Sequence, residues 1–136
     1  MKGGKKMDKK LEANIPIYIQ IMNKVSKAVA SGELKPGDRI GSVRELASEF
    51  EVNPNTIQRS LTELEREGLL VSERTAGRFV TENRAQIEEL RSTQAEAAAS
   101  EFREAMNELG YDDREAVEFF RCICRQAGKM NTKDAG

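Results

Sequence analysis

The sequence predicts a mainly α-helical protein with one small β element: three short helices, a hairpin, then two longer helices. Three observations carry this reading. Apolar residues recur at three- and four-residue steps in several separate stretches. Cap signals stand in front of three of these: Ser42 with Glu45, Asn53 with Pro54, and Asp112 with Glu115. A single stretch, LLVSERTAGRFV (residues 69–80), alternates roughly and carries Ala76-Gly77 near its middle, the pattern of a hairpin.

Taken in order, PIYIQIMNKVSKAVASG (residues 16–32) places Ile17, Ile21, Val25 and Val29, with Ala28, on one helical stripe. Pro16 suits its first turn and Gly32 the residue past its end. ELKPGDRI follows, where Pro36-Gly37-Asp38 signals a turn beside a short extended piece ending at Ile40. Ser42 and Glu45 form a capping box for a helix carrying Val43, Leu46, Ala47 and Phe50. Three residues later Asn53 is a natural N-cap and Pro54 a natural first helical residue, with Ile57, Leu61 and Leu64 as the buried row before Gly68. Helix, short turn and helix, followed by the hairpin, make a winged helix-turn-helix.

Beyond Thr81 a long helix carries a thin apolar row of Ile87, Leu90, Ala97 or Ala98, Phe102, Ala105 or Met106, and Leu109, interrupted by Gln94. The small residues of EAAAS in its centre would let a second helix approach closely. The last helix offers Val117, Phe120, Ile123 and Cys124 on one side and Phe119 on another. Two helices of this size cannot bury such faces alone. The expectation is a homodimer whose interface uses Ile87, Leu90, Ala98, Phe102, Met106, Leu109, Val117, Phe120 and Ile123. Residues 1–13 are read as a basic, flexible arm, 14–82 as the winged domain, and 83–136 as a C-terminal dimerisation and effector segment. The arm's Lys2, Lys5, Lys6, Lys9 and Lys10 would either add nonspecific DNA affinity or serve only to solubilise it.

Composition narrows the function. A formal net charge of −1 argues against a chain that coats nucleic acid by bulk charge, so any positive face must be local. The absence of histidine excludes most metal sites and every histidine-based catalytic constellation. There is no glycine-rich phosphate loop and no nucleophile–base pair, so neither an enzyme nor a cofactor is expected. No apolar run approaches the ~18 residues that cross a bilayer. The basic start MKGGKKMDKK has no apolar segment behind it, so no secretory signal and no membrane partner are read, and the expected compartment is the cytoplasm. Cys122 and Cys124 form a lone C-x-C in a helical stretch, where side chains two apart diverge by ~200°. They read as small core or interface residues, with a redox or metal switch as the other option.

The site is the exposed face of the third helix. With Ile57, Leu61 and Leu64 inward, Asn55, Thr56, Gln58, Arg59 and Thr62 face outward, and no carboxylate precedes Glu63. Amide side chains pair bidentately with adenine and arginine with guanine in the major groove. The helix N-terminus, through its amides and dipole, favours a phosphate. An acid there would be repelled, while Glu63, Glu65 and Glu67 crowd the far end. Arg44 projects from the first turn of the preceding helix, and Arg74 and Arg78 bracket the hairpin tip.

The pieces PIYIQI, SGELKPGDRI, SVRELA, VNPNTIQRSLTELEREGLL and RTAGRFV, in this order, resemble the DNA-binding domain of the GntR family of bacterial transcription regulators. The Asn-Pro-Asn-Thr helix start and the short two-helix tail look like its YtrA subfamily. That resemblance implies a dimeric repressor, often tied to transporter operons. It also implies that Arg44, Asn53, Asn55, Thr56, Gln58 and Arg59 read bases and phosphates, with a wing of Arg74, Thr75, Gly77 and Arg78 reaching the flanking minor groove. Three positions depart from the family pattern. Gly41 stands where Pro is common and loosens that turn. Thr75 replaces a wing Gly, which weakens close backbone approach there, and Arg78 replaces a wing Thr and would add a phosphate contact.

The expected function is therefore a homodimeric repressor on a two-fold symmetric operator in double-stranded DNA, with room for a small-molecule effector at the dimer interface or between domains. The alternative is a winged-helix protein-interaction module without sequence-specific DNA binding, which salt dependence separates from the first.

Overall fold

The computed structural model describes the backbone of residues 10–135 and the side chains of residues 10–128. Lys2, Lys5, Lys6 and Lys9 of the expected arm lie outside these residues. The elements are α1 (Ile17–Ser31), α2 (Val43–Phe50), α3 (Pro54–Arg66), β1 (Leu70–Glu73), β2 (Gly77–Val80), α4 (Arg84–Glu108) and α5 (Asp113–Ala135). The winged helix-turn-helix followed by two helices is thus the architecture found. No helix among the described residues is long and apolar enough to cross a membrane. The chain divides into two compact units, one up to Ser92 and one from Thr93.

In the first unit the stripes read from the sequence converge, except that Ile17, placed at the front of the α1 stripe, is exposed in the first turn. Ile21, Val25 and Val29 of α1, Leu46 and Phe50 of α2, and Ile57, Leu61 and Leu64 of α3 are all buried, closed off by Ile40, Leu69, Leu70 and Val80. Each helix boundary has a local cause. The Ser42 hydroxyl accepts the Glu45 N–H at 3.0 Å while the Glu45 carboxylate accepts the Ser42 N–H at 2.8 Å, so a reciprocal capping box opens α2 directly after Gly41. α3 ends where Leu69 N–H reaches back to the Leu64 carbonyl (3.0 Å) and Gly68 N–H to that of Glu65 (2.9 Å). This closure needs a left-handed residue, supplied by Gly68 at φ 85°. The turn between α2 and α3 uses the same device with Glu51 at φ 60°, a conformation that costs a side-chain-bearing residue about 1 kcal/mol.

The wing is tied down on one side. β1 and β2 pair antiparallel from Leu70↔Val80 to Glu73↔Gly77, leaving Arg74, Thr75 and Ala76 as the loop. The extended piece before α2 pairs with β2 through Ile40 N–H to the Arg78 carbonyl and Val80 N–H to that of Asp38.

Two segments placed elsewhere on sequence grounds belong to this unit. Leu11 packs against the core, and the buried Gln20 amide brackets Glu12, accepting its N–H and donating to its carbonyl, both at 2.6 Å. The end of the expected flexible arm is therefore fixed. Ile87 and Leu90, expected in a dimer interface, pack against this same core instead. The reason is local: Asn83 caps α4 and Gln86 donates to the Glu67 carbonyl at 2.9 Å, which lays the first turns of α4 against the end of α3. The division between the units consequently falls inside α4, after Ser92, rather than at residue 83.

The second unit is a helical hairpin. Gly110 at φ 97° and the Tyr111 N–H to the Met106 carbonyl (3.0 Å) close α4, and a reciprocal Asp112–Glu115 cap opens α5. Met106 and Ala116 are buried in the hairpin itself, so Met106, expected in a dimer interface, packs within the chain instead. Phe102 and Phe120 meet edge to face at 6.0 Å, as do Tyr111 and Phe119 at 5.4 Å. The hydrogen bond from Arg103 to Asp113 (3.0 Å) lowers the carboxyl from its usual value, but both groups are exposed and the pair contributes little. Cys122 and Cys124 are free and exposed, so neither is a core residue.

Candidate nucleic-acid interface

The outward face of α3 follows from its buried one. Ile57, Ser60, Leu61 and Leu64 are buried, so the 3.6-residue period turns Asn55, Arg59 and Thr62 away from the core. Asn55, Gln58 and Arg59 are exposed, and Thr56 and Thr62 are half-buried. No acidic residue lies in the first turn. The Gln58 amide donates to the Thr62 hydroxyl at 3.2 Å, which pairs two of the expected readers one turn apart. An amide held this way still offers its carbonyl oxygen and a second N–H to a base edge.

The helix N-terminus differs from the expectation. The Asn55 N–H donates to the Asn53 side-chain oxygen at 2.7 Å, and the Thr56 and Ile57 N–H groups both donate to the Asn53 carbonyl. Pro54 has no N–H to give. The first-turn amides are thus occupied within the helix, and what remains there for a phosphate is the dipole and the Asn53 amide N–H₂. Asn53 acts first as a cap.

The arginines divide into two sets. Arg44, in the first turn of α2, and Arg74, in the wing loop, are exposed and have no hydrogen-bond or ion-pair partner among the described residues. Arg78, expected as a phosphate contact, donates instead to Glu65 of α3 at 2.9 Å with both side chains largely covered. Its position in β2, opposite Ser72, turns it towards α3, so it braces the wing on the helix. This corrects its assignment and also neutralises one of the three glutamates at the far end of α3. Glu63 is paired likewise, with Arg66 at 2.6 Å. Thr75 and Gly77 lie exposed at the wing loop and the start of β2.

Two residues were missed by sequence reasoning. Arg39 donates from Nε to the Ala76 carbonyl at 3.0 Å and lies so close over Gly77 that a Cβ there would stand 3.2 Å from its Nε. Gly77 also has φ 104°, so it is the backbone conformation of the wing that calls for glycine there. The signal available was the basic residue ending the extended piece before Ile40. Tyr18 of α1 is the other: the Arg59 guanidinium carbon sits 3.7 Å from its ring centroid. Beside that contact the buried Ser60 hydroxyl shares its single O–H between the carbonyls of Tyr18 (3.1 Å) and Thr56 (2.9 Å).

Comparison with known proteins gives the same outline. Residues 17–80 match the family model described as bacterial regulatory proteins, gntR family. The chain is 38% identical over 112 residues to the uncharacterized HTH-type transcriptional regulator YhcF of Bacillus subtilis (strain 168), covering 82% of this chain and 93% of that one. It is 42% identical over 71 residues to the HTH-type transcriptional repressor YtrA of the same organism, covering 52% and 55%. Among solved structures it resembles a GntR family transcriptional regulator from Listeria monocytogenes with a TM-score of 0.75 and 33% identity, over 82% of this chain and 97% of that one.

Proposed function

Because this chain belongs to the GntR family of DNA-binding transcription regulators, in its YtrA-like branch, we propose that it is a cytoplasmic, homodimeric repressor of a transporter-associated operon. It binds a two-fold symmetric operator, with each protomer placing α3 in a major groove. The observation that carries the DNA half of this reading is the outer face of α3. Asn55, Gln58, Arg59 and Thr62 present amides, a guanidinium and a hydroxyl, while the glutamates nearest them, Glu63 and Glu65, are both paired internally. A two-fold dimer would set its two recognition helices ~34–36 Å apart, one turn of DNA. Arg44, Arg74 and Arg39 supply the backbone contacts that hold α3 in register.

The dimer half rests on the second unit. Phe102, Leu109, Val117, Phe120 and Ile123 are exposed large apolar side chains, and Ala98 with Phe102, Val117 and Phe120 lines an open apolar groove of about 620 Å³. An apolar face of this kind on so small a unit is what a second copy would cover. An effector would act there by changing the fit of the two copies. Phe102→Asp and Phe120→Asp are each expected to turn a dimer into a monomer at micromolar concentration in sedimentation, with circular dichroism unchanged. Dimers that persist in both variants at low concentration would contradict this interface.

A further inference from the structure

Among the described residues no carboxylate pairs with the Arg59 guanidinium. Glu63, one turn on and its ordinary partner at that spacing, is taken by Arg66 at 2.6 Å. What Arg59 has is the ring of Tyr18, with its guanidinium carbon 3.7 Å from the centroid. A guanidinium over a ring is held by its face, through the ring's negative quadrupole. Its N–H donors all lie in the plane and point outward from its edge, so a stacked arginine keeps the fork that a guanine O6 and N7 would accept. The ring is itself fixed relative to α3. The fully buried Ser60, next in sequence to Arg59, donates to the Tyr18 carbonyl at 3.1 Å and so sets the spacing of α1 and α3 at this point.

We propose that Tyr18 is a positioning residue for sequence readout: its ring holds the Arg59 guanidinium by the face and presents the N–H fork to a base edge in one orientation. The inference rests on the reading of α3 as the recognition helix. It accounts for two features that the readout face alone leaves unexplained, an aromatic residue on the half-buried side of the first turn of α1 and a reader arginine without a counter-ion. A long side chain ordered before binding loses less freedom on binding, so the gain appears as discrimination between sequences.

The test compares Tyr18→Phe, Tyr18→Leu, Arg59→Ala and the double variant Tyr18→Leu/Arg59→Ala in the full chain. It measures the ratio of affinities for a DNA site selected by the wild type and for a scrambled duplex. Tyr18→Phe keeps the ring and stays within about twofold of wild type, whereas Tyr18→Leu lowers the ratio about threefold to thirtyfold. In the Arg59→Ala background Tyr18→Leu adds less than about twofold, because the ring then has nothing to position. The log–log salt slope of Tyr18→Phe changes by much less than the ~0.9 of one lost phosphate contact.

Equal losses from Tyr18→Leu with and without Arg59 overturn the proposal. So does a Tyr18→Phe that loses as much as Tyr18→Leu, since the hydroxyl would then be the working group. The wild type gives a reading that needs no variant to fold: its Arg59 δ and ε protons should show upfield ring-current shifts in NMR, and unshifted resonances overturn the contact. A wild type that distinguishes no DNA sequence overturns the DNA reading and this proposal together. A wild type that discriminates while Tyr18→Leu equals it overturns this proposal alone.

Discussion

Leu61→Ala lowers the stability of the chain by about 2–5 kcal/mol, a large share of the ~5–15 kcal/mol that holds a domain of this kind folded. Leu61 is fully buried in the cluster that joins the three helices of the first unit, between Ile57 and Leu64 on α3 and alongside Val25 and Phe50. Removing three carbons there loses their transfer free energy and leaves a cavity that close-packed neighbours fill only in part. The effect is also functional, because the same side chain fixes which face of α3 points out. Urea unfolding at fixed protein concentration reads the change as a lower midpoint with an unaltered slope. A loss under about 1 kcal/mol would mean that α3 is not seated on this core as described.

Arg59→Ala is expected to act in the opposite way, leaving stability near that of wild type and removing about 1–3 kcal/mol of discrimination between the preferred site and its variants. Its side chain is exposed and touches the Tyr18 ring, a contact of modest value at such a site. Gln58→Ala should remove discrimination at a neighbouring base pair, with the Thr62 hydroxyl left without its donor. Binding to a duplex of unrelated sequence should fall only by the one charge that Arg59→Ala removes. Competition titrations against single-base variants of the site separate the two contributions. Unchanged discrimination in both variants would place the readout outside the front of α3.

The sequence was most legible where one local rule acts alone. The Ser42–Glu45 box, the Asn53 cap with Pro54 behind it, and the Asp112–Glu115 cap each depend on residues within one turn, and each appears in the structure. The core stripes were legible for the same reason, since a period of 3.6 fixes which residues share a face.

What the sequence did not reveal depends on docking between distant segments. Arg78 looks like a tip residue in the alternation of the wing, and only the pairing of Ser72 with Arg78 turns it towards Glu65, thirteen residues earlier. Tyr18 and Arg59 are forty-one residues apart and meet because α1 and α3 pack together. Ile87 and Leu90 have the spacing of an interface row, but their helix starts against α3, which places them against the first core.

The proposed readers are side chains that local patterning leaves unconstrained. Asn55 and Gln58 are exposed and Thr62 is half-buried, and none of them belongs to the buried core cluster. The occupied amides at the front of α3 show the limit of reasoning from element type. A helix N-terminus is a phosphate site only when its N–H groups are free, and here the Asn53 cap takes the Asn55, Thr56 and Ile57 N–H groups.

Selection of bound duplexes from a random DNA pool, run at two salt concentrations, tests the central claim most directly. The account predicts an enriched inverted repeat with fixed spacing between half-sites, centred about one helical turn apart or a multiple of it, and weaker retention at the higher salt. A pool that shows no enriched sequence, with retention indifferent to salt, would contradict it.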